Sequence, residues 1–231
     1  DSIAEWINAH TGDIGEESLD LLNLAGIPVA ASALAKDERQ TVELAAKIGY
    51  PLVMKVSSPD AIHKTEAGGV IIGVSNDEEA RKNFSRIRLN LETYRKGARF
   101  EGVRLEEMAG EGFDMFIGGK DDISFGPIII FGLGGIYVEY LKDIMTCMCP
   151  TEHSIVYKKL KSLKSYGMLC GARGMKPVDI DGYVNAIVKL SHVLAEFPEI
   201  KEIDINPIRL FHNGSGLCAL DARMRIGSRE R

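Results

Sequence analysis

Strands and capped helices alternate closely over the first hundred residues, and this order restricts the fold more than any other feature of the chain. Asp37 and Asn76 each precede a run of helix-forming residues, which predicts two N-terminal caps. Short apolar runs beside them predict strands. The expected elements are a strand that starts at residues 27–29, followed by a helix, two strands and a helix over residues 38–48, 51–56, 70–74 and 77–94. This order predicts a compact α+β lobe.

The remainder of the chain predicts a second, largely antiparallel lobe. Its expected strands cover residues 103–108, 113–118, 127–132, 200–210 and 217–220, and its expected helices cover residues 152–163 and 178–197. We therefore predict an N-terminal helical segment over residues 1–24 that packs on the second lobe, a small lobe over 25–102 and a large lobe over 103–231. The strand at 103–108 is the expected junction, and the last two strands form a C-terminal hairpin.

Composition indicates an ordinary globular protein. Of its 231 residues, 45% are apolar and 26% are charged, close to common usage. A net charge of −5 argues against nucleic-acid or membrane partners. The start lacks the features of a signal peptide, and no apolar run approaches the ~20 residues of a membrane span. We expect a cytoplasmic protein with reduced cysteines. Cys147, Cys149 and His153 could contribute to a metal site, but no fourth ligand is evident.

Two familiar phosphate-binding signatures are incomplete in this sequence. The segment that ends at Lys120 has Asp114 where a Walker loop needs its first glycine, and Asp121 where it needs serine or threonine. Residues 132–137 lack the last glycine of a dinucleotide fingerprint. A nucleotide site in this chain must therefore use a different fold.

A polar loop joins the expected strands 51–56 and 70–74. Lys55 lies near its start, and the glycine pair Gly68-Gly69 lies at its end. A lysine at a strand end can set a point charge against phosphate, although simple solvation explains it equally well. The glycines would let backbone N–H groups approach an anion, although a plain hairpin turn also accounts for them. The pattern is compatible with a phosphate site without requiring one.

His63 lies inside this loop, three residues before Glu66. A lone loop histidine is more often solvated than reactive. A neutral imidazole nitrogen can nevertheless attack phosphorus, and histidine titrates in the useful pH range. Glu66 is a local candidate for the acceptor that would fix the tautomer. His63 is therefore the candidate phosphoryl carrier, with Glu66 as its candidate partner.

The segment from Glu202 to Asn206 predicts a metal site. Strand alternation sends Glu202, Asp204 and Asn206 to one face. Carboxylate and amide oxygens are the ligands that Mg²⁺ prefers. Asp221 follows on the next strand, and the hairpin can bring it beside Asn206. An exposed polar face is the alternative, but Asp and Asn are poor strand formers, so the sequence favours Mg²⁺.

Several segments together resemble the β subunit, or ATP-grasp portion, of the ADP-forming acyl-CoA synthetases, which are relatives of succinyl-CoA synthetase; archaeal ADP-forming acetate–CoA ligase is the nearest likeness. The segments are specific only in combination, and they cover residues 61–70, 125–127, 131–135, 141–143 and 204–207. The likeness extends over about residues 26–226. It implies an ATP-grasp fold of the α+β class, in which two lobes close on a nucleotide.

The resemblance implies roles for the nucleotide-binding residues. Lys55 would contact the ATP phosphates. Glu107 and Met108, with Glu106 beside them, lie in the strand that joins the lobes, and backbone groups there would hold the adenine. Asp114 stands where the family usually has a glutamate for the ribose hydroxyls, so its shorter side chain departs from the pattern.

The resemblance also implies the metal ligands and the phosphoryl carrier. Asn206 and Asp221 would bind Mg²⁺, with Asp204 as a further candidate. His63 matches the second phosphorylatable histidine of such β subunits. Arg173 fits a family pattern, but no role is assigned to it.

The implied activity is synthesis of ATP from ADP, phosphate and acyl-CoA. A partner α subunit that binds CoA would form the acyl phosphate, and its own histidine would take the phosphoryl group. His63 would relay that group to ADP on this chain, in an α2β2 assembly. Two alternatives stay open: a stand-alone ATP-grasp carboxylate ligase that works through an acyl phosphate, and a non-catalytic nucleotide-sensing module.

Overall fold

The chain folds into two compact units, each with its own sheet and hydrophobic core. A computed structural model describes residues 2–61, 64–135, 141–212 and 215–227, apart from the side chain of Arg173. The smaller unit is Ala30–Ala109, and the larger unit combines Asp1–Val29 with Gly110–Arg231. Within the described residues, no helix has the length and apolar character needed to cross a membrane.

The described elements are numbered in chain order. The strands are β1 (Gly12–Ile14), β2 (Ser32–Ala35), β3 (Leu52–Ser57), β4 (Val70–Val74), β5 (Gly102–Glu107), β6 (Phe113–Asp122), β7 (Gly126–Leu133), β8 (Ile144–Met148), β9 (Ile200–Leu210), β10 (Leu217–Ala219) and β11 (Ala222–Ile226). The helices are α1 (Ser2–Ala9), α2 (Ser18–Leu24), α3 (Glu38–Ile48), α4 (Asp77–Tyr94), α5 (His153–Leu160), α6 (Tyr166–Leu169) and α7 (Ile180–Glu196). A short 3₁₀ turn covers Ala172–Gly174.

The smaller unit is an antiparallel sheet in the order β2-β5-β3-β4, packed against α3 and α4. The predicted caps are confirmed: Asp37 accepts a hydrogen bond from the Gln40 N–H at 2.7 Å, and Asn76 accepts one from the Glu79 N–H at 2.9 Å. Strand alternation turns the apolar residues of β3 and β5 toward the helices. The buried apolar side chains of these strands are Leu52, Met54, Val56, Val103 and Leu105. Their neighbours in sequence form the opposite face.

The larger unit is a seven-stranded sheet in the order β1-β11-β9-β6-β7-β8, with β10 also paired to β9. All its strand pairs are antiparallel. Helix α7 packs on β6, β7 and β9 and buries eight residues, including Tyr183. The N-terminal helices belong to the same core through Ile7, Leu21 and Leu22.

Strand β5 lies in a different unit from the one that the sequence suggested. The sequence placed the boundary between residues 102 and 103, so that β5 would open the second lobe. In the structure β5 pairs with both β2 and β3, and the boundary falls between Ala109 and Gly110. Strand β11 was not predicted; it pairs with β9 and β1. Both differences come from pairing between residues that are distant in sequence.

Asp143 is a buried carboxylate that satisfies backbone groups of the larger unit. It is 6% exposed. Its two oxygens accept hydrogen bonds from the N–H groups of Lys164, at 2.9 Å, and Ser165, at 2.7 Å. Burial opposes ionisation, but the hydrogen bonds from Ser165 and Lys164 outweigh it and hold the pKa of this carboxyl below its ordinary value. The charged form therefore stabilises the fold above the ordinary aspartate pKa, and this contribution is lost as the pH falls through the lowered pKa.

We expect Asp143→Asn to lower the free energy of unfolding by about 1–3 kcal/mol at neutral pH. The asparagine side chain has one oxygen, so one backbone N–H loses its acceptor and the other is left with an uncharged acceptor. The difference from wild type should shrink as the pH falls through the lowered pKa of Asp143, since the wild-type carboxylate then becomes protonated. Urea denaturation at several pH values measures both effects. Asp13→Asn, on the exposed part of β1, is the control. An equal cost at every pH would contradict a role for the carboxylate charge.

Candidate functional site

The helix-free face of the smaller sheet carries two cations and a carboxylate. Strand register places Lys55 beside Arg104 on β5 and beside Val70 on β4. Lys55 Nζ lies 2.5 Å from Glu106 Oε2, and the two side chains are 27% and 13% exposed. Arg104 Nη1 donates to Ser32 Oγ at 3.2 Å. Lysine and arginine side chains on a half-buried sheet face are groups that can bind an anionic ligand.

Arg104 is a candidate site residue that the sequence reasoning missed. The available signal was strand alternation, because Arg104 and Glu106 are two residues apart and share a face. The side chain of Glu106, a residue that the sequence grouped with the adenine-binding segment, forms an ion pair with Lys55. The structure therefore associates Glu106 with the candidate phosphate-binding lysine.

The N–H groups of Gly68 and Gly69, the candidate anion donors, form hydrogen bonds within the turn. The Gly68 N–H donates to the Thr65 carbonyl at 3.0 Å, and the Gly69 N–H donates to the Lys64 carbonyl at 2.8 Å. Gly68 has a φ of +61°, and a Cβ on Gly69 would lie 2.4 Å from Val56 Cγ1. Backbone conformation and close packing therefore require the two glycines, while both N–H groups are already used.

His63, the candidate phosphoryl carrier, lies outside the described residues, as does any contact that it makes with Glu66. The Glu66 side chain is exposed. On either side of His63 the loop is anchored in the core, because Ala61 and Ala67 are only 1% and 4% exposed. The segment that carries the candidate histidine thus begins and ends at fixed points.

The N–H groups of Glu107 and Met108 have partners inside the smaller unit. Glu107 donates to the Ala31 carbonyl at 2.8 Å, and Met108 donates to the Pro51 carbonyl at 3.3 Å. The second hydrogen bond is long, and therefore weak. Contact between an adenine base and the Met108 N–H would have to replace it.

Asp114, the candidate ribose ligand, forms a bidentate ion pair with Arg209. Arg209 Nε and Nη2 donate to the two carboxylate oxygens at 2.7 and 3.0 Å. The two residues are direct partners in the register of β6 and β9. Hydrogen bonding to Asp114 raises the pKa of Arg209 above its ordinary value. Sequence reasoning missed Arg209, and a ribose hydroxyl would have to share the Asp114 oxygens with it.

The candidate metal ligands Asp204 and Asn206 lie within β9, and Asp221 lies between β10 and β11. The Asn206 N–H donates to the Asp221 carbonyl at 3.2 Å, so the structure brings these two residues together. Asn206 Oδ1, the oxygen expected to bind a metal, accepts a hydrogen bond from the Gly135 N–H at 2.9 Å. A carbonyl-type oxygen has two lone pairs, and one of them remains for a cation.

Asp204 has a raised pKa, and its surroundings explain the direction. Its side chain keeps access to solvent, but partial desolvation of the carboxylate is the largest cause. Repulsion from Asp221 and, to a smaller extent, from Glu202 acts in the same direction, while Arg223 opposes it. The site is therefore short of positive charge, as expected for a group of oxygen ligands that suits a divalent cation.

Two further candidates receive little support. The backbone of Arg173 lies in the 3₁₀ turn, and its side chain is not among the described atoms. For Cys147, Cys149 and His153, burial and the nearby Cys147 raise the pKa of the Cys149 thiol to about 12, which disfavours a thiolate ligand. Over residues 2–61, 64–135, 141–212 and 215–227, no group of three or more His, Cys, Asp or Glu side chains is arranged to hold a metal.

Comparison with known proteins identifies the class of fold. The sequence profile of the ATP-grasp domain matches residues 13–226, which span both sheets. This match confirms the predicted fold class.

Individual relatives define the family more closely. The chain is 43% identical over 208 residues to the β subunit of ADP-forming acetate–CoA ligase I from Pyrococcus furiosus, covering 90% of this chain and 89% of that one. It is 42% identical to ADP-forming 4-hydroxybutyrate–CoA ligase from Nitrosopumilus maritimus, where the match covers 91% of this chain and 30% of the longer relative. A solved structure of acetyl-coenzyme A synthetase 1 from Candidatus Korarchaeum cryptofilum, in complex with coenzyme A, Ca-AMPCP and HgCl⁺, aligns over 97% of both chains with a TM-score of 0.87 and 32% identity. The chain therefore belongs to the ATP-grasp family of ADP-forming acetate–CoA ligase β subunits, as the sequence predicted.

We expect Asp204→Asn to raise the melting temperature of the chain by about 1–4 °C at neutral pH without added metal. The substitution removes the repulsion of the Asp204 carboxylate by Asp221 and Glu202, and interactions between exposed charges are worth little free energy. The raised pKa means that wild type loses stability as the pH rises through it, so the difference should vanish below about pH 4. Thermal melts in EDTA across this range provide the measurement. Arg223→Gln, which removes the opposing cation, should act in the opposite direction, and a shift of the same sign in both variants would contradict the explanation.

Proposed function

We propose that this chain binds a magnesium–nucleotide and passes a phosphoryl group between His63 and ADP, as the β subunit of an ADP-forming acyl-CoA synthetase. The observation that carries the proposal is the group of oxygen donors formed by Asp204, Asn206 and Asp221 in a chain of this family. Relatives named as ADP-forming CoA ligases support this function over a stand-alone carboxylate ligase or a nucleotide sensor.

Mg²⁺ fits the donor set on chemical grounds. Hard divalent cations prefer carboxylate and amide oxygens, and repulsion between Asp204 and Asp221 is the kind that a cation relieves. Asn206 and Asp221 would hold the ion, with Asp204 close by. When bound, Mg²⁺ would neutralise charge on phosphate oxygens. A related K. cryptofilum structure contains Mg-AMPPCP, with a phosphohistidine segment pointing towards the nucleotide-binding site.

Lys55 and Arg104 would supply the protein's own positive charge to the phosphates. A lysine acts as a compact point charge and an arginine as a planar donor of several hydrogen bonds. Glu106 holds Lys55 near the sheet through their ion pair. Exchange of this carboxylate for a phosphate oxygen would keep the ammonium group of Lys55 paired.

The proposed chemical step at His63 is a displacement at phosphorus. A terminal oxygen of ADP forms a new P–O bond while the P–N bond to the imidazole breaks, and the released ring nitrogen takes up one proton. The reverse step phosphorylates His63 from ATP. Phosphoryl transfer of this kind depends mainly on positioning and on stabilisation of charge, and the described groups can supply both.

The proposal includes a partner subunit that binds CoA. The P. furiosus relatives are named as β subunits, and the K. cryptofilum structures contain coenzyme A. We propose that the partner forms an α2β2 assembly with this chain and converts acyl-CoA and phosphate to an acyl phosphate and free CoA. Its histidine, the first phosphohistidine of the relay, then takes the phosphoryl group from the acyl phosphate, and the carboxylate is released. The partner would then select the acyl group.

We expect the chain to acquire a phosphoryl label that is stable in base and labile in acid when it is incubated with γ-labelled ATP and Mg²⁺, because phosphohistidine has this stability. His63→Ala should lose the label, and EDTA should prevent its formation. His192→Ala, at an exposed position of α7, is the matched control and should keep it. Label on serine, or acyl-CoA synthesis by this chain alone, would favour another enzyme class.

We expect Lys55→Ala to weaken binding of Mg-ADP by about 10- to 100-fold, the usual cost of removing a charged hydrogen bond. Arg104→Ala should weaken binding by about 10-fold on the same basis. Glu106→Gln should not weaken it, since the carboxylate competes with phosphate. Isothermal titration calorimetry measures these affinities, with Lys96→Ala, at an exposed site in the same unit, as the control. Unchanged affinity in both cation variants would remove this face from the nucleotide site.

A further inference from the structure

In the loop that carries His63, the residues before the histidine contact the C-terminal end of α4. Asp60 Oδ1 lies 2.6 Å from Arg95 Nη1, and Arg95 caps the C-terminus of α4. The second oxygen, Asp60 Oδ2, accepts a hydrogen bond from the Arg99 N–H at 2.8 Å. One carboxylate therefore joins the start of the loop to both the last turn of the helix and the segment after it.

The same helix holds the other half of the loop. Asn90 Nδ2 donates to the Gly68 carbonyl at 2.7 Å. The contact is close, because a Cβ added to Gly68 would lie 2.9 Å from that same nitrogen. The loop is closed at its base by a hydrogen bond from the Val56 N–H to the Gly69 carbonyl at 2.7 Å. Asn90 therefore binds the loop at the turn where it rejoins the sheet.

These two contacts hold described residues on both sides of His63. Residues 62 and 63 lie in sequence between Ala61, which is buried, and Lys64. Consecutive Cα atoms lie about 3.8 Å apart, so His63 is one peptide unit from Lys64, whose carbonyl accepts the Gly69 N–H. A rigid support of this kind is what a reacting side chain needs to hold a productive geometry.

We propose that Asn90 and Asp60 are positioning residues for phosphoryl transfer at His63, an inference that rests on the function proposed above. Neither residue is assigned to the nucleotide or the metal. Loss of either contact would let the loop shift, and a displacement of about 1 Å can slow a reaction by roughly 100-fold. The affinity for nucleotide would stay nearly constant, since it depends on other side chains. A purely structural role would instead lower stability and change rate and affinity together.

The test compares Asn90→Ala with Asn83→Ala, which removes the same side chain about two turns earlier on α4. Each full-length variant is mixed with γ-labelled ATP and Mg²⁺ in a single-turnover experiment that follows the label on His63. Calorimetry gives the affinity for Mg-ADP, and thermal melts give stability. Asn90→Ala should reduce the labelling rate by about 10-fold or more, with affinity within about twofold of wild type and Asn83→Ala unaffected.

Asp60→Asn provides an independent second variant in case Asn90→Ala does not fold. It keeps an acceptor for the Arg99 N–H but removes the charge that pairs with Arg95, so the same selective loss of rate is expected. Labelling at the wild-type rate in the folded variants would overturn the positioning role while the proposed function stands. Parallel loss of rate, affinity and stability would also overturn it. An unlabelled wild-type chain would overturn both proposals.

Discussion

The antiparallel pairing of β6 with β9 is the constraint on which the larger unit depends. Ile203 and Ile205 of β9 are buried in the core, so Asp204 and Asn206 must point to the other face. The pairing also sets Asp114 opposite Arg209. A slip of one residue would exchange the two faces of β9 and bury two polar side chains without partners. The requirement for an apolar core therefore fixes the direction in which the candidate metal ligands point.

Local sequence signals predicted the parts of the fold that depend on local physics. The two helix caps and the alternation of β9 follow from residues that are close in sequence. The assignment of β5 to the smaller unit could not be predicted in this way, because it depends on pairing with β2 and β3. The partners of Lys55 and Asp114 depend on strand register for the same reason. For Gly68 and Gly69, the sequence indicated a backbone role but not that their N–H groups would be used within the turn.

The two units carry candidate sites of opposite charge. In the smaller unit, the described residues Lys55 and Arg104 place two cationic side chains on the sheet face. In the larger unit, Asp204 and Asp221 repel one another. A magnesium–nucleotide contains both the anionic oxygens that suit the first set and the cation that suits the second. Under the proposed function, the phosphate oxygens would pair with the cations of the smaller unit and Mg²⁺ with the oxygens of the larger unit.

The smaller unit also shows why a histidine in a loop can be useful in catalysis. Fixing one residue in a single backbone conformation costs roughly 1–2 kcal/mol. If the loop became ordered only during the reaction, this cost would add to the activation free energy. In this chain Asp60, Asn90 and the two buried alanines fix the described residues on either side of His63 during folding. Under the proposed function, the reactivity of His63 therefore depends on side chains of the loop and of α4 that contact no substrate, and nothing in the histidine's immediate sequence reveals this dependence.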